Sequence, residues 1–420
     1  MPSPKTPVIC ALDLGSMNIR VILAEVIDGE PRLLACASRP SLKIKNGDIQ
    51  VVQVVGEQLL LALQHAEELA HGATADHVYV SISGSGLHTD LANANVYISD
   101  AEGVVTAEAM RELQHLLSDH KIPANRELLC VDVCKYFIDN QKEVLNPTDQ
   151  VAVALSCDGV LVSADQNYVG GVRRLIKENL GREIMRLLPS SRVLPHAFQN
   201  TLDPDRGTLC LNLGYGTLDY SVYKGNEQYL NTLPIGLDHI CMDLGECFDL
   251  HSKESEKLLK AYIEVYGSLP EGEDGMIELK GLPGTEPRRV SLQSVETVVI
   301  ARLREMLELV WHDICHAKKN SAVSAVLMTG GGARLKVLER LVPEVMSLHL
   351  SKPHYEPQHI LPDMRDKIEL WSNCLGTLIL GARDYQVSLE GGRMPITSQF
   401  TAEFRRIGGL VKDVFSHIKW

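Results

Sequence analysis

The sequence predicts an α/β fold made of two like halves, with a small α+β module set into the first half and an amphipathic helix at the C-terminus. Three observations carry this. A strand, glycine turn and strand at the N-terminus recurs about 200 residues later. A third strand near residue 326 runs into three consecutive glycines and then a helical pattern. Between the first two, residues 84–164 break the βα rhythm with strands around a single helix.

Length and composition agree. The 420 residues are 45% hydrophobic and 23% charged, enough for at least two cores. A formal net charge of -13 excludes a general nucleic-acid binder, because phosphate contact relies on Lys and Arg. The ten Cys sit in apolar stretches without a C-x-x-C pair and read as buried free thiols in a reducing compartment. The N-terminus lacks the features of a signal peptide, and no run reaches the roughly 18 apolar residues of a spanning helix. A cytosolic protein, free or held to a surface, is expected.

The elements follow in order. Val8–Leu14 and Arg20–Val26 are strands around Gly15-Ser16, and Asp28-Gly29 is the next turn. Val54–His71 is a helix with Val55, Leu59, Ala62, Leu63, Ala66, Leu69 and Ala70 on one face. His77–Ser83 alternates as a strand. The inserted module has strands at Ala94–Ile98, Glu127–Ile138 and Gln150–Ser156 and a helix at Ala107–Asp119. Helical period returns over Tyr168–Leu188. Residues 208–223 form two strands around a glycine turn, and 238–266 are helical. Pro270–Pro287 is a loop, Leu292–Lys318 a long helix, Ala322–Met328 a strand and Leu335–Leu341 a helix. Val387–Pro395, with Gly391 and Gly392, is a linker.

The chemistry lies in the glycine turns. In Asp13-Leu14-Gly15-Ser16 the backbone N–H groups can approach an anion, Ser16 adds a hydroxyl, and Asp13 can hold water on a divalent cation. Asn212-Leu213-Gly214-Tyr215-Gly216-Thr217-Leu218-Asp219 repeats the arrangement, so two hairpins can clamp phosphates from opposite sides. Thr329-Gly330-Gly331-Gly332-Ala333-Arg334 suits an anion or the flat face of a base. No Gly-Lys-Ser/Thr follows it, which excludes a P-loop.

Taken together these loops resemble phosphate 1, phosphate 2 and the adenosine motif of the actin, sugar-kinase and heat-shock ATPase superfamily. Met185–Leu202 and Leu375–Ala382 resemble its two interdomain connectors. The resemblance implies an actin-like duplicated βββαβα core binding ATP and Mg²⁺. Asp13, Gly15, Ser16, Asn18, Asn212, Gly214, Tyr215, Gly216, Thr217, Asp219, Gly330, Gly331, Gly332 and Arg334 would contact nucleotide. Asp13 and Asp219 would hold the metal through water. Glu256 and Lys260, spaced i, i+4, would reach the ribose and adenine edge. Where the family has Asp the chain has Asn212, an amide that neither favours Mg²⁺ nor serves as a base. Tyr215 replaces a glycine, and Asn18 stands where many relatives have Lys. Nucleotide binding with weak or no hydrolysis is expected.

The insert at 84–164 resembles the SHS2-like subdomain of the division protein FtsA and the pilus protein PilM. The C-terminus resembles that of FtsA. Phe400, Phe404, Ile407, Val411, Val414, Phe415 and Ile418 fall within roughly a 100° stripe, with Arg405, Arg406, Lys412 and Lys419 on the flanks and back and Trp420 last. The closest reading is therefore an FtsA-like protein. That implies subdomain 1A at 1–83, 165–204 and 375–386; the inserted subdomain 1C at 84–164; 2A at 205–239 and 311–374; 2B at 240–310; a linker at 387–396; and a membrane helix at 397–420. It further implies head-to-tail self-assembly, binding of the FtsZ C-terminal peptide through 2B, and later division proteins through 1C. Anionic lipid on the inner face of the cytoplasmic membrane at midcell would hold the tail helix. The alternatives are a PilM-like pilus-assembly ATPase, which needs no membrane helix of its own, and a small-molecule kinase of the same fold, for which no catalytic Asp presents itself.

Overall fold

The computed structural model describes residues 6–389 apart from 76, 204, 225–226, 267–274, 280–287 and 321–322. The linker residues from 390 onward and the amphipathic segment 397–420 lie outside the described residues.

The first half is built on β1 (Val8–Leu14), β2 (Asn18–Ile27) and β3 (Glu30–Pro40), an antiparallel meander. The β2–β3 turn is the expected Asp28-Gly29, both at positive φ. A two-residue pair, β4 (Ile44–Lys45) and β5 (Asp48–Ile49), leads to α1 (Val52–Leu69). β6 (His77–Ile82) then returns parallel to β1. β1 is buried on both faces, which explains the continuous apolar run Val8–Leu12 that precedes Asp13.

The inserted module comprises β7 (Leu87–Tyr97), α2 (Ala107–Ser118), β8 (Arg126–Ile138), β9 (Lys142–Val144) and β10 (Ala154–Asp165), in sheet order β7-β10-β8-β9. Thr106 caps α2 through the Ala109 N–H. Leu113 and Leu117 of α2 pack on Val131, Leu155 and Leu161 of the sheet. The strands are longer than expected at both ends of the module. β10 starts at Ala154 rather than Gln150, because Val151 and Val153 face solvent.

α3 (Gln166–Leu180) and β11 (Ile184–Pro189) complete the first half. Here the expected helix over Tyr168–Leu188 is corrected. Gly181 takes a left-handed cap with φ 64°, and Ile184–Pro189 pairs parallel with β6. The expected connector over Met185–Leu202 is likewise not a continuous helix. After β11 it is α4 (Ser190–Val193), one turn, followed by a 3-10 segment, Leu194–Thr201, that contains Pro195.

The second half repeats the first. β12 (Thr208–Leu213), β13 (Leu218–Lys224) and β14 (Glu227–Leu233) form the antiparallel meander. α5 (Leu237–Phe248), α6 (Ser252–Ala261), the hairpin of β15 (Met276–Leu279) and β16 (Arg288–Ser291), and α7 (Leu292–His316) follow. β17 (Ala325–Thr329) then pairs parallel with β12, and β18 (His349–Ser351), reached through α8 (Leu338–Met346), pairs parallel with β17. The sheet orders β11-β6-β1-β2-β3 and β14-β13-β12-β17-β18 are the same topology, read from opposite edges. The hairpin β15–β16 corrects the loop expected over Pro270–Pro287. α8 begins later than the expected Leu335, because the glycine run first makes a 3-10 turn, Gly331–Arg334.

α9 (Ser372–Leu389) returns to the first half and is buried along most of its length. It takes Val387–Leu389 into the helix, three residues expected to be linker. No described helix is long and apolar enough to cross a membrane. Eight of the ten thiols are buried; Cys247 and Cys315 are exposed.

The small residues of α9 permit its close crossing. A Cβ on Gly376 would lie 2.1 Å from the Val193 carbonyl oxygen, and one on Gly381 would lie 2.8 Å from the Tyr79 ring. Gly170 of α3 meets nothing within 4 Å. Gly→Ala in an open helix stabilises by about 1 kcal/mol. Gly170→Ala should therefore raise the urea midpoint, whereas Gly376→Ala, opposed by backbone, should lower stability by roughly 2 kcal/mol.

Candidate functional site

The two hairpin turns meet. The β1–β2 turn presents Gly15, Ser16 and Met17, and the β12–β13 turn presents Gly214 to Thr217. A Cβ on Gly216 would stand 2.6 Å from the Ser16 hydroxyl oxygen, so only glycine admits this approach. Ser16 Oγ accepts the Gly47 N–H at 3.1 Å, and its carbonyl accepts Ser41 Oγ at 2.6 Å, which hold the first turn in place.

Beneath the turns lies a cavity of about 540 Å³. It is lined by Asp13, Gly15, Ser16 and Asn18 from the first half. The second half supplies Asn212, Gly214, Tyr215, Thr217, Asp219, Glu256, Lys260, Gly330, Gly331 and Arg334. Gly216 and Gly332 do not line it. Gly216 seals the contact between turns, and Gly332 packs on the Leu213 side chain, where a Cβ would come within 2.3 Å. Gly330 sits at φ 85°, which brings the third loop onto Asn212 at the end of β12.

Two buried carboxylates define the electrostatics. Asp13 lies 3.5 Å from Arg20 Nη1 and accepts Ser81 Oγ at 3.4 Å. Burial raises its pKa, while Arg20 and Ser81 oppose the rise. Asp219 has no salt bridge among the described residues. Its Oδ1 accepts Ser83 Oγ at 2.5 Å and Thr232 Oγ1 at 2.9 Å, and its Oδ2 accepts Asn212 Nδ2 at 3.1 Å. Burial pushes its pKa up to about 6 against those three donors.

This changes the meaning of Asn212. An Asp there would set a second carboxylate against Asp219, whereas the amide donates to it. β2 also contributes a second side chain to the cavity beside Asn18. Arg20, one β-period further along the same face of β2, lines the cavity, with its guanidinium 5.8 Å above Trp371. The period-2 alternation of the strand was the signal for it. Ser83, Ser190, Lys367 and Asn373 also line the cavity and carry no sequence motif.

Glu256 does not pair with Lys260. Its Oε1 accepts the Tyr215 hydroxyl at 2.8 Å. Burial and this carboxylate raise the phenol pKa well above 10, so it stays a donor.

No group of three or more His, Cys, Asp or Glu that could hold a metal occurs among the described residues. Asp13 and Asp219 alone fit a cation held through water rather than by direct ligation.

Comparison with known proteins agrees with this architecture. The family model described as cell division protein FtsA matches residues 209–368, and that of the SHS2 domain inserted in FtsA matches residues 84–163. The chain is 21% identical to cell division protein FtsA of Bacillus subtilis (strain 168), over 83% of this chain and 80% of the relative. It is 22% identical to FtsA of Escherichia coli (strain K12), over 79% and 80%. Among solved structures it resembles the PilM-PilN type IV pilus biogenesis complex, at TM-score 0.60 and 16% identity over 90% of this chain and 98% of that one. It also resembles MreB5 of Spiroplasma citri bound to ADP, at TM-score 0.55 and 13% identity over 93% and 100%. Duplicated sheets, a cleft between paired hairpins and an SHS2 insert define an actin-like protein. More particularly, the chain is a divergent FtsA-like protein.

Asp219 makes stability pH-dependent. Its folded-state value of about 6 lies above the ordinary 3.8. Its contribution is thus fully present below pH 3.8 and is lost as pH rises through 6, at a cost of roughly 2–3 kcal/mol. In urea unfolding, Asp219→Asn should gain stability relative to the parent between pH 4.5 and 7.5. A difference that does not change with pH would contradict this assignment.

Proposed function

We propose that this chain is an actin-like, ATP-binding division protein that assembles head-to-tail and links the FtsZ ring to the inner face of the cytoplasmic membrane. The observation that carries the reading is the meeting of the two hairpin turns over Asp13 and Asp219 in a chain with an FtsA-type insert. The turn amides with Ser16 and Thr217 would cradle phosphates. The face formed by Lys260, Gly330, Gly331 and Arg334 would take the sugar and base, with Glu256 beside it. Bound Mg²⁺ would supply charge neutralisation at the phosphates, with Asp13 and Asp219 orienting its waters.

Arg20 adds a cation that offsets phosphate charge. Asn212 supplies no general base, so we propose that ATP acts mainly as a conformational ligand. The region 240–310 is proposed to receive the FtsZ C-terminal peptide, and residues 84–164 to contact neighbouring subunits or later division proteins. Residues 397–420 are proposed to bind anionic lipid. A pilus-assembly role is the second reading, favoured by the likeness to the PilM-PilN complex.

Calorimetric titration with ATP and Mg²⁺ should show binding by the parent and at least about tenfold weaker binding by Asp13→Ala. Radiometric phosphate release from the parent should not exceed that of Asp13→Ala, and clear excess turnover would overturn the weak-hydrolysis reading. On anionic liposomes the full chain should pellet and a chain lacking residues 397–420 should remain in solution. Equal pelleting would remove the support for a membrane tether and favour the pilus reading.

A further inference from the structure

The phosphate end of the cavity and its Glu256 end are joined by one side chain. Tyr215 sits at the tip of the β12–β13 turn, and its hydroxyl reaches Glu256 on α6. The tip cannot swing freely. The Tyr215 carbonyl accepts the Asp238 N–H at 2.8 Å, and the Gly214 carbonyl accepts the Leu237 N–H at 3.1 Å. The phenol is therefore delivered to Glu256 by a turn anchored on the start of α5. Among the described residues Glu256 has no ion-pair partner, so the phenol is the donor it has.

A carboxylate at this end of the cavity would accept a ligand hydroxyl. An otherwise unpaired carboxylate discriminates strongly, because an analogue lacking the hydroxyl leaves a desolvated charge without a donor. Glu256 is already paired. A ligand hydroxyl that reaches Oε1 must displace a hydrogen bond of the same kind, and an analogue without it still leaves Glu256 paired with Tyr215. Both ligands then end with similar hydrogen-bond inventories.

We propose that Tyr215 is a specificity-determining residue that holds Glu256 away from the ligand's sugar, so the cleft takes ribonucleoside and deoxyribonucleoside triphosphates almost alike. This rests on the nucleotide reading above.

Titration calorimetry of the full chain with ATP, 2′-deoxyATP and 3′-deoxyATP tests it. The parent should bind all three within about threefold of one another. Tyr215→Phe keeps the ring and frees the carboxylate, so it should prefer ATP over at least one deoxy analogue by about tenfold or more. The double variant Tyr215→Phe/Glu256→Gln should lose that preference. Glu256→Gln alone, which does not depend on the tyrosine variant folding, should leave the parent's ratios unchanged. A parent that already prefers ATP about tenfold, a Tyr215→Phe chain with unchanged ratios, or a Glu256→Gln chain with altered ratios overturns this inference while leaving nucleotide binding intact. Binding of no nucleotide by the parent overturns the nucleotide reading and this inference with it.

Discussion

The cleft depends on Asp219, a buried carboxylate from the second half that accepts a hydrogen bond from Ser83 of the first. A carboxylate removed from water needs a cation or several donors. Asp13, across the cleft, uses the cation Arg20. Asp219 uses Ser83, Thr232 and Asn212, all neutral. The two halves thus present equivalent turns but different electrostatics. One acid is charge-paired, and the other is held by neutral donors while burial raises its pKa to about 6.

Ser83 also directly follows β6, the strand that leads into the inserted module, and the Tyr168 hydroxyl, just beyond the module, lies 3.0 and 3.3 Å from the carbonyl oxygens of Ser83 and Gly47 that accept from it. Both junctions of the insert therefore border the glycine turns. Further in, Asp132 of β8 forms a buried ion pair with Arg192 of α4 at 3.1 Å, whose rupture would cost roughly 3–5 kcal/mol. Cys130, Cys134, Val160 and Val162 join the apolar core that contains Tyr229 and Leu230 of β14. The insert is packed against both halves, so a change in their separation must shear this core or carry the module along.

Much of the fold was legible because local chemistry and tertiary placement agree. The Asp28-Gly29 turn, the doubly buried run of β1, the Thr106-capped α2 and the long α7 all announce themselves through turn residues, periodicity or caps. The misreadings have a common cause. Ile184–Pro189 has the apolar content of a helix continuing from α3, but Gly181 stops that helix and β6 offers an open edge. Met276–Leu279 is too short to signal a strand until Arg288–Ser291 pairs with it. Arg20 was overlooked because a motif was read by position in the chain, whereas a strand places every second residue on one face.

The sequence by itself determined the three glycine turns, their order and the presence of a separate inserted module, since glycine and hydrophobic period are local properties. Only the tertiary structure decided what those turns do to one another. That Gly216 faces Ser16, that Asn212 donates to Asp219, and that Tyr215 rather than Lys260 occupies Glu256 are matters of distance between segments far apart in the chain. Such pairings follow from how the two sheets close around the cleft, and no local spacing encodes them.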